Sequence, residues 1–75
     1  GFEGQSIAYE AASRARRWAY EDLGLTTLTS NIAPENIRSR RLADRMGAIH
    51  EKTYKNSYAN QDVMLYRHPG PEAVL

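Results

Sequence analysis

Gly1-Phe2-Glu3-Gly4-Gln5-Ser6-Ile7-Ala8-Tyr9-Glu10-Ala11-Ala12 runs from a glycine-containing turn directly into the start of a helix. The first amides of a helix have no intrahelical acceptors, and the helix dipole makes that end positive. A glycine there lets an anion approach the backbone without meeting a Cβ, so the run has the chemistry of a phosphate cradle. An ordinary helix start at a chain end uses the same residue types, and this run alone does not separate the two readings.

Downstream, Ile7, Ala8, Ala11, Ala12, Ala15, Trp18, Ala19 and Leu23 recur at three- and four-residue spacing and predict a helix over 6–23 with one face toward a core. Ser6 is its expected N-cap, Glu10 complements the dipole, and Gly24 suits a left-handed C-terminal turn with Leu25 packing back. The alanines keep the stripe thin, so a sheet is expected to approach closely while Trp18 fills the gap. Residues 26–31, rich in β-branched and short polar side chains, predict a strand. Pro34 and Glu35 open a second helix, with Ser39, Leu42, Ala43 and Met46 as its inner stripe and Gly47 as its stop. Residues 48–54 and 62–68 predict two strands of a hairpin around the polar turn 55–61. The prolines and glycine of 69–75 argue against regular structure there, so that segment is read as an extension.

A chain of 75 residues forms at most one small domain, which buries about 60–65% of its unfolded surface. Much of its 41% hydrophobic content is alanine and tyrosine, leaving few large aliphatic side chains for a core. The absence of cysteine excludes disulfides and thiolate metal sites, which fits a reducing, cytoplasmic setting without a metal. No apolar run approaches the roughly 18 residues of a membrane span, and no signal peptide is visible. Ten basic and nine acidic residues give a net charge of +1, too little to steer the chain to nucleic acid or a membrane surface. Arg14, Arg16 and Arg17 cluster on the first helix, and Arg38, Arg40, Arg41 and Arg45 on the second. Such clusters are solvated helix faces in most proteins and local anion contacts in the remainder.

Two segments together resemble the GNAT superfamily of N-acetyltransferases, in particular its ribosomal-protein N-terminal acetyltransferase-like branch. Gly4-Gln5-Ser6-Ile7-Ala8-Tyr9-Glu10-Ala11 is similar to the family's glycine turn and helix that hold the coenzyme A pyrophosphate. The run from Pro34 to Ala48 is similar to the family's Asn-x-x-Ser helix ending in Gly-Phe, with Asn36, Ser39 and Gly47 at the matching positions. The resemblance covers nearly all of residues 1–68 and implies an α/β (α+β) fold. That fold is the carboxy-terminal half of a GNAT domain, ordered helix-strand-helix-strand-strand, with a mixed sheet lacking its N-terminal strands and with 69–75 as a tail. It further implies acetyl coenzyme A as co-substrate, a primary amine as acceptor, and transfer by direct attack on the thioester. Gly4, Gln5, Ser6, Ile7 and Ala8 would bind the pyrophosphate, Asn36 the pantetheine arm, and Ser39 would lie near the thiol. In an unfamiliar sequence, Asn36 and Ser39 would simply satisfy the first amides of their helix.

Several positions depart from the family pattern. Ser6 replaces the second glycine, Gly1 stands where arginine or glutamine is frequent, and Ala48 replaces the phenylalanine after Gly47. Ala43 stands where many members carry a tyrosine that protonates the departing thiolate, which leaves Ser39 or water for that role. His50 and Glu51 are the nearby titratable groups, with a solvated strand face as their simpler explanation.

The strand that precedes the glycine turn in the family has no counterpart here, and the chain starts at Gly1. The expectation is therefore a fragment of an acetyltransferase, inactive alone, that needs the missing N-terminal half or dimerises through an exposed sheet edge. A non-catalytic coenzyme-binding or partner-interaction module is the main alternative. A nucleic-acid-binding domain is a weaker one, since the segment between the helices is wrong for a helix-turn-helix.

Overall fold

The computed structural model describes residues 2–75, and side chains from residue 7 onward. Helix α1 spans Phe2–Glu21, strand β1 Thr29–Ile32, helix α2 Ile37–Arg45, strand β2 Ile49–Asn56, strand β3 Gln61–Arg67 and the one-turn helix α3 Pro71–Val74. The mixed sheet expected from the sequence is antiparallel throughout the described residues, in the order β1-β3-β2. β3 returns from the β2 hairpin and inserts beside β1, so β1 and β2 run parallel without touching. That insertion satisfies both edges of β3 and gives the chain's most apolar strand the central position.

The hairpin forms as the alternation predicts. Its four-residue turn, 57–60, is held by the Asn56 Oδ1, which accepts from the Tyr58 amide at 2.9 Å, and Asn60 takes a positive φ of 52°. A bulge between His50 and Lys52 shifts the register of β2, placing Lys52 opposite Leu65. β1 is shorter than expected and starts at Thr29, although the His68 amide still donates to the Leu28 carbonyl at 3.0 Å.

The core is small. Ile32, Ala43, Ala48, Met64 and Tyr66 form one buried cluster between α2 and the sheet. α2 turns its stripe of Ser39, Leu42, Ala43 and Met46 inward, as its spacing requires. It ends in a left-handed glycine cap: Gly47 has φ 80°, its amide returns to the Asp44 carbonyl, and the Ala48 amide returns to Ala43.

Three expectations are corrected. First, α1 begins at Phe2, so Ser6 lies inside the helix and is not its N-cap. An N-cap contributes only about 1 kcal/mol, and each added helical residue gains a hydrogen bond, so Phe2, Glu3 and Gln5 extend the helix past Gly4. Second, the buried line of α1 keeps Ala12 and Ala19 of the alanine-tryptophan stripe but is rotated away from the rest of it. Ala19 and Tyr20 are buried, and Tyr9, Ala12, Ser13 and Arg16 half-buried, whereas Ile7 is 67% and Trp18 54% exposed. The helix packs against α2 and α3, and its rotation follows two polar anchors: Tyr20 Oη donates to the Pro69 carbonyl at 2.7 Å, and Arg16 Nη1 to the Met46 carbonyl at 2.7 Å. Third, residues 69–75 are not an irregular extension. Pro71 occupies the first position of α3, where its fixed φ is favourable and its missing N–H is not needed.

The Ser13 hydroxyl is buried without a hydrogen-bond partner. Ser13→Ala removes that desolvated group and raises helix propensity, so it is expected to stabilise the fold by about 1 kcal/mol. Gly47→Ala is expected to destabilise by about 1 kcal/mol. The added Cβ would meet only the Pro69 ring, at 3.7 Å, so the loss comes from the backbone conformation. Urea denaturation of both variants checks the two signs.

Candidate functional site

Between α1, α2 and β1 lies a groove of about 460 Å³. Ala12, Ala15 and Ala19 line it from α1 with Trp18, Leu42 and Met46 from α2, and Ile32 from β1 with Leu28 just before it. Alanine side chains leave open the space that larger residues on α1 would fill. Polar atoms enter this apolar trough from Ser30, Ser39, Arg16 and His68.

Three of these form a connected chain. Arg16 Nη1, which donates to the Met46 carbonyl, also lies 3.2 Å from His68 Nδ1, and His68 Nε2 lies 2.8 Å from Ser30 Oγ. A guanidinium only donates, so Nδ1 is the acceptor, and the proton of the neutral imidazole sits on Nε2, which donates to Ser30. Burial, and secondly the Arg16 charge, holds the His68 pKa below its ordinary 6.5, so the neutral ring is the form present at pH 7. In a serine nucleophile pair the histidine takes the hydroxyl proton through a free ring lone pair. Here the polarity is reversed, and Ser30 is not activated.

Of the residues the sequence singled out, Ser39 reaches the groove, half-buried at its α2 wall. Asn36 does not line it. It caps α2, its Oδ1 accepting from the Ser39 amide at 3.2 Å, and this bond leaves the Asn36 Nδ2 as an exposed donor. In a helix starting at Phe2, the amides without intrahelical acceptors belong to the first turn, which includes Gly4 and Gln5, whereas Ser6, Ile7 and Ala8 follow. Ile7 and Ala8 are exposed; the side chains of Gln5 and Ser6, and Gly1 as a whole, lie outside the described residues. Ala43 is buried in the core cluster. His50 and Glu51 stay away from the groove: His50 Nε2 is 2.9 Å from Thr53 Oγ1, and Arg67 donates to both Glu51 oxygens at 2.9 and 3.0 Å. The hydrogen bonds from Arg67 hold the Glu51 carboxyl below its ordinary value.

The arginine clusters divide by partner. Arg14 and Arg17 pair with Glu10 and Glu21 on their own helix, Arg40 donates to the Pro34 carbonyl, and Arg45 lies over the Tyr9 ring at 4.5 Å. Ser30 and His68 were not legible as site residues. They lie 38 positions apart, and Arg16 a further 14 before Ser30, so no local spacing signals their meeting.

A family model of the acetyltransferase (GNAT) domain matches residues 1–49, which take in α1, β1 and α2, the three elements around the groove. The chain belongs to the GNAT acetyltransferase family. No curated protein and no solved structure matches it. Its mixed α/β architecture, three helices with a three-stranded sheet, is compatible with part of a GNAT fold. The GNAT assignment carries acyltransferase resemblance and acetyl coenzyme A as the usual donor, while His68 lies beyond the matched residues. Among the described residues no three metal-ligating side chains converge, and no helix is long and apolar enough to cross a membrane.

A depressed histidine pKa means that the unfolded chain binds more protons than the native one near neutrality. The stability contributed by neutral His68 is complete above about pH 6.5 and is lost as pH falls from there through the native value. Urea midpoints measured from pH 7.5 to 5 should fall for the wild type, and His68→Gln should flatten that slope.

Proposed function

We propose that the chain binds coenzyme A and serves an N-acetyltransferase in which a primary amine attacks the acetyl thioester directly. The carbon–nitrogen bond forms, the carbon–sulfur bond breaks, the amine loses a proton and the thiolate gains one. The reading rests on the family match over α1, β1 and α2 and on the groove these elements share, lined by the Asn-x-x-Ser helix α2 and by α1 residues 12–19, which follow the glycine-containing run. The groove suits the pantetheine arm in kind: its walls are apolar, with a few polar groups among them. We assign the free amides of the first turn of α1, around Gly4, to the pyrophosphate; Gln5, Ser6, Ile7 and Ala8, which the resemblance also offered, continue the helix, and the amides of Ser6, Ile7 and Ala8 are spent within it. Asn36 Nδ2 donates to a pantetheine carbonyl at the groove's outer end, and Ser39 lies toward the thiol, where its hydroxyl or a water protonates the leaving group.

One observation favours a binding role over turnover for residues 1–75 alone. No carboxylate lines the groove among the described residues, and His68 Nδ1 is engaged by Arg16, so the described groove offers no general base. The base, and the donor that stabilises the oxyanion, come in this reading from the remainder of the domain or from a second copy paired along β1. The open edge of β1, Thr29–Ile32, carries no charge or proline to discourage such pairing. A cytoplasmic setting suits the cysteine-free chain. The ribosomal-protein-like branch makes a protein N-terminus the first acceptor to try.

Calorimetric titration with acetyl coenzyme A tests the reading. Asn36→Ser keeps an N-cap hydroxyl but loses the carboxamide donor, and should weaken binding about tenfold. Gly4→Asp should weaken it further by obstruction and repulsion of the pyrophosphate. Wild type without measurable affinity sinks the proposal. A coenzyme-release assay over an amine panel, with light scattering alongside, should find no turnover by the 75 residues alone.

A further inference from the structure

We propose that Arg16, His68 and Ser30 form a one-way hydrogen-bond relay that presents the Ser30 hydroxyl proton to a carbonyl oxygen of the ligand in the groove. The inference rests on the coenzyme reading above and adds to it a binding residue on β1, between the glycine-containing run and the Asn-x-x-Ser helix.

Arg16 is always protonated and has no acceptor atom. Its Nη1 carries two hydrogens, one for the Met46 carbonyl at 2.7 Å and one for His68 Nδ1 at 3.2 Å. The imidazole proton is thereby confined to Nε2, and at 2.8 Å it occupies a lone pair of Ser30 Oγ. The hydroxyl hydrogen of Ser30 cannot point back at the N–H that approaches it. It remains for an acceptor on the groove side, and Ser30 lines the groove. A serine that accepts one bond from a polarised ring is a better donor than an isolated one, because successive hydrogen bonds polarise each other. The fitting ligand group is a neutral amide or thioester carbonyl, since the walls are apolar and a free carboxylate would meet few compensating donors.

The relay has a built-in direction that protonation destroys. A second ring proton on Nδ1 would face the Arg16 guanidinium, two donors and two positive charges together. Among the described residues no other element supplies a compensating charge to the ring: β1 presents the neutral Ser30, α2 acts through the Met46 carbonyl, and the one ionisable side chain of α3, Glu72, lies over Gly70.

Nitrogen-15 NMR of the His68 ring and calorimetry with acetyl coenzyme A, both on the full 75-residue chain, test the two halves. The ring should be the Nε2-protonated tautomer at pH 7, and a proton on Nδ1 overturns the relay. Ser30→Ala should weaken acetyl coenzyme A about five- to tenfold, and Ser30→Thr, which restores a hydroxyl on a strand-compatible residue, should return it to wild type. His68→Leu should match Ser30→Ala, while His68→Gln, with an acceptor for Arg16 and a donor for Ser30, should retain most of the affinity. Equal binding by wild type, Ser30→Ala and His68→Leu overturns the inference and leaves the coenzyme reading standing. No binding by wild type overturns both.

Discussion

A single guanidinium fixes how α1 sits on the rest of the chain. Arg16 projects from the middle of α1 to the carbonyl at the end of α2 and to the imidazole that follows β3. The Met46 carbonyl is an acceptor that the helix end leaves without an intrahelical partner, and a charged donor is well suited to it. This contact decides the rotation of α1, because the helix has no large aliphatic residue on its buried line to decide it by packing. With Arg16 turned inward, Tyr20 is carried one turn along the same line to the Pro69 carbonyl, and residues 69–75 are drawn into the fold as α3.

The groove follows from that rotation. Arg16 and Tyr20 hold α1 by its polar line, and the alanines of the adjacent line then stand over β1 and α2 without filling the space between. A helix anchored by hydrophobic packing would close such a space, since apolar side chains gain by burial. Here the anchors are directional bonds near the helix's C-terminal half, and the exposure of Trp18 at the groove wall is the consequence. The small core of Ile32, Ala43, Ala48, Met64 and Tyr66 lies between α2 and the sheet, and Ile32 and Ala43 also face the groove. Groove and core therefore share side chains, and the groove floor is part of what holds α2 on the sheet.

The legible parts of the sequence were those set by a local period. The inner stripe and the stop of α2, and the hairpin, read correctly because Leu42, Ala43 and Met46 share one face at helical spacing and Met64 and Tyr66 alternate along a strand, with Gly47 and Asn56 supplying the turns between. The start of α2 did not, since Pro34 and Glu35 form a turn before it and Asn36 caps a helix that begins at Ile37. The family, too, was legible, because the glycine turn and the Asn36-x-x-Ser39 helix are local patterns. The rotation of α1 was not. A hydrophobic stripe names the face a helix would bury against a sheet, whereas α1 turns inward a line containing Ser13 and Arg16, for which the periodicity argument gives no weight. The relay was hidden for a related reason: Arg16, Ser30 and His68 are brought together by topology alone. Of the site residues proposed from sequence, Ser39 lines the groove while Asn36 spends its carboxamide oxygen on the helix cap, the local role that its residue type favours everywhere.

The two outer edges of the sheet are built differently, and the difference bears on the groove. β2 carries Glu51, Lys52 and Lys55 and a bulge, features that disfavour further strand pairing. β1 carries Thr29, Ser30, Asn31 and Ile32, uncharged and regular, and three of these four also line the groove. Backbone and side chains of one short strand therefore face two consumers: the edge offers unpaired amides and carbonyls in the plane of the sheet, and the side chains of Ser30 and Ile32 point out of it. Because these directions are perpendicular, a strand added along the edge need not displace what occupies the groove. It would instead fix β1, which β3 alone now holds, and with it the Ser30 hydroxyl at the end of the Arg16–His68 chain.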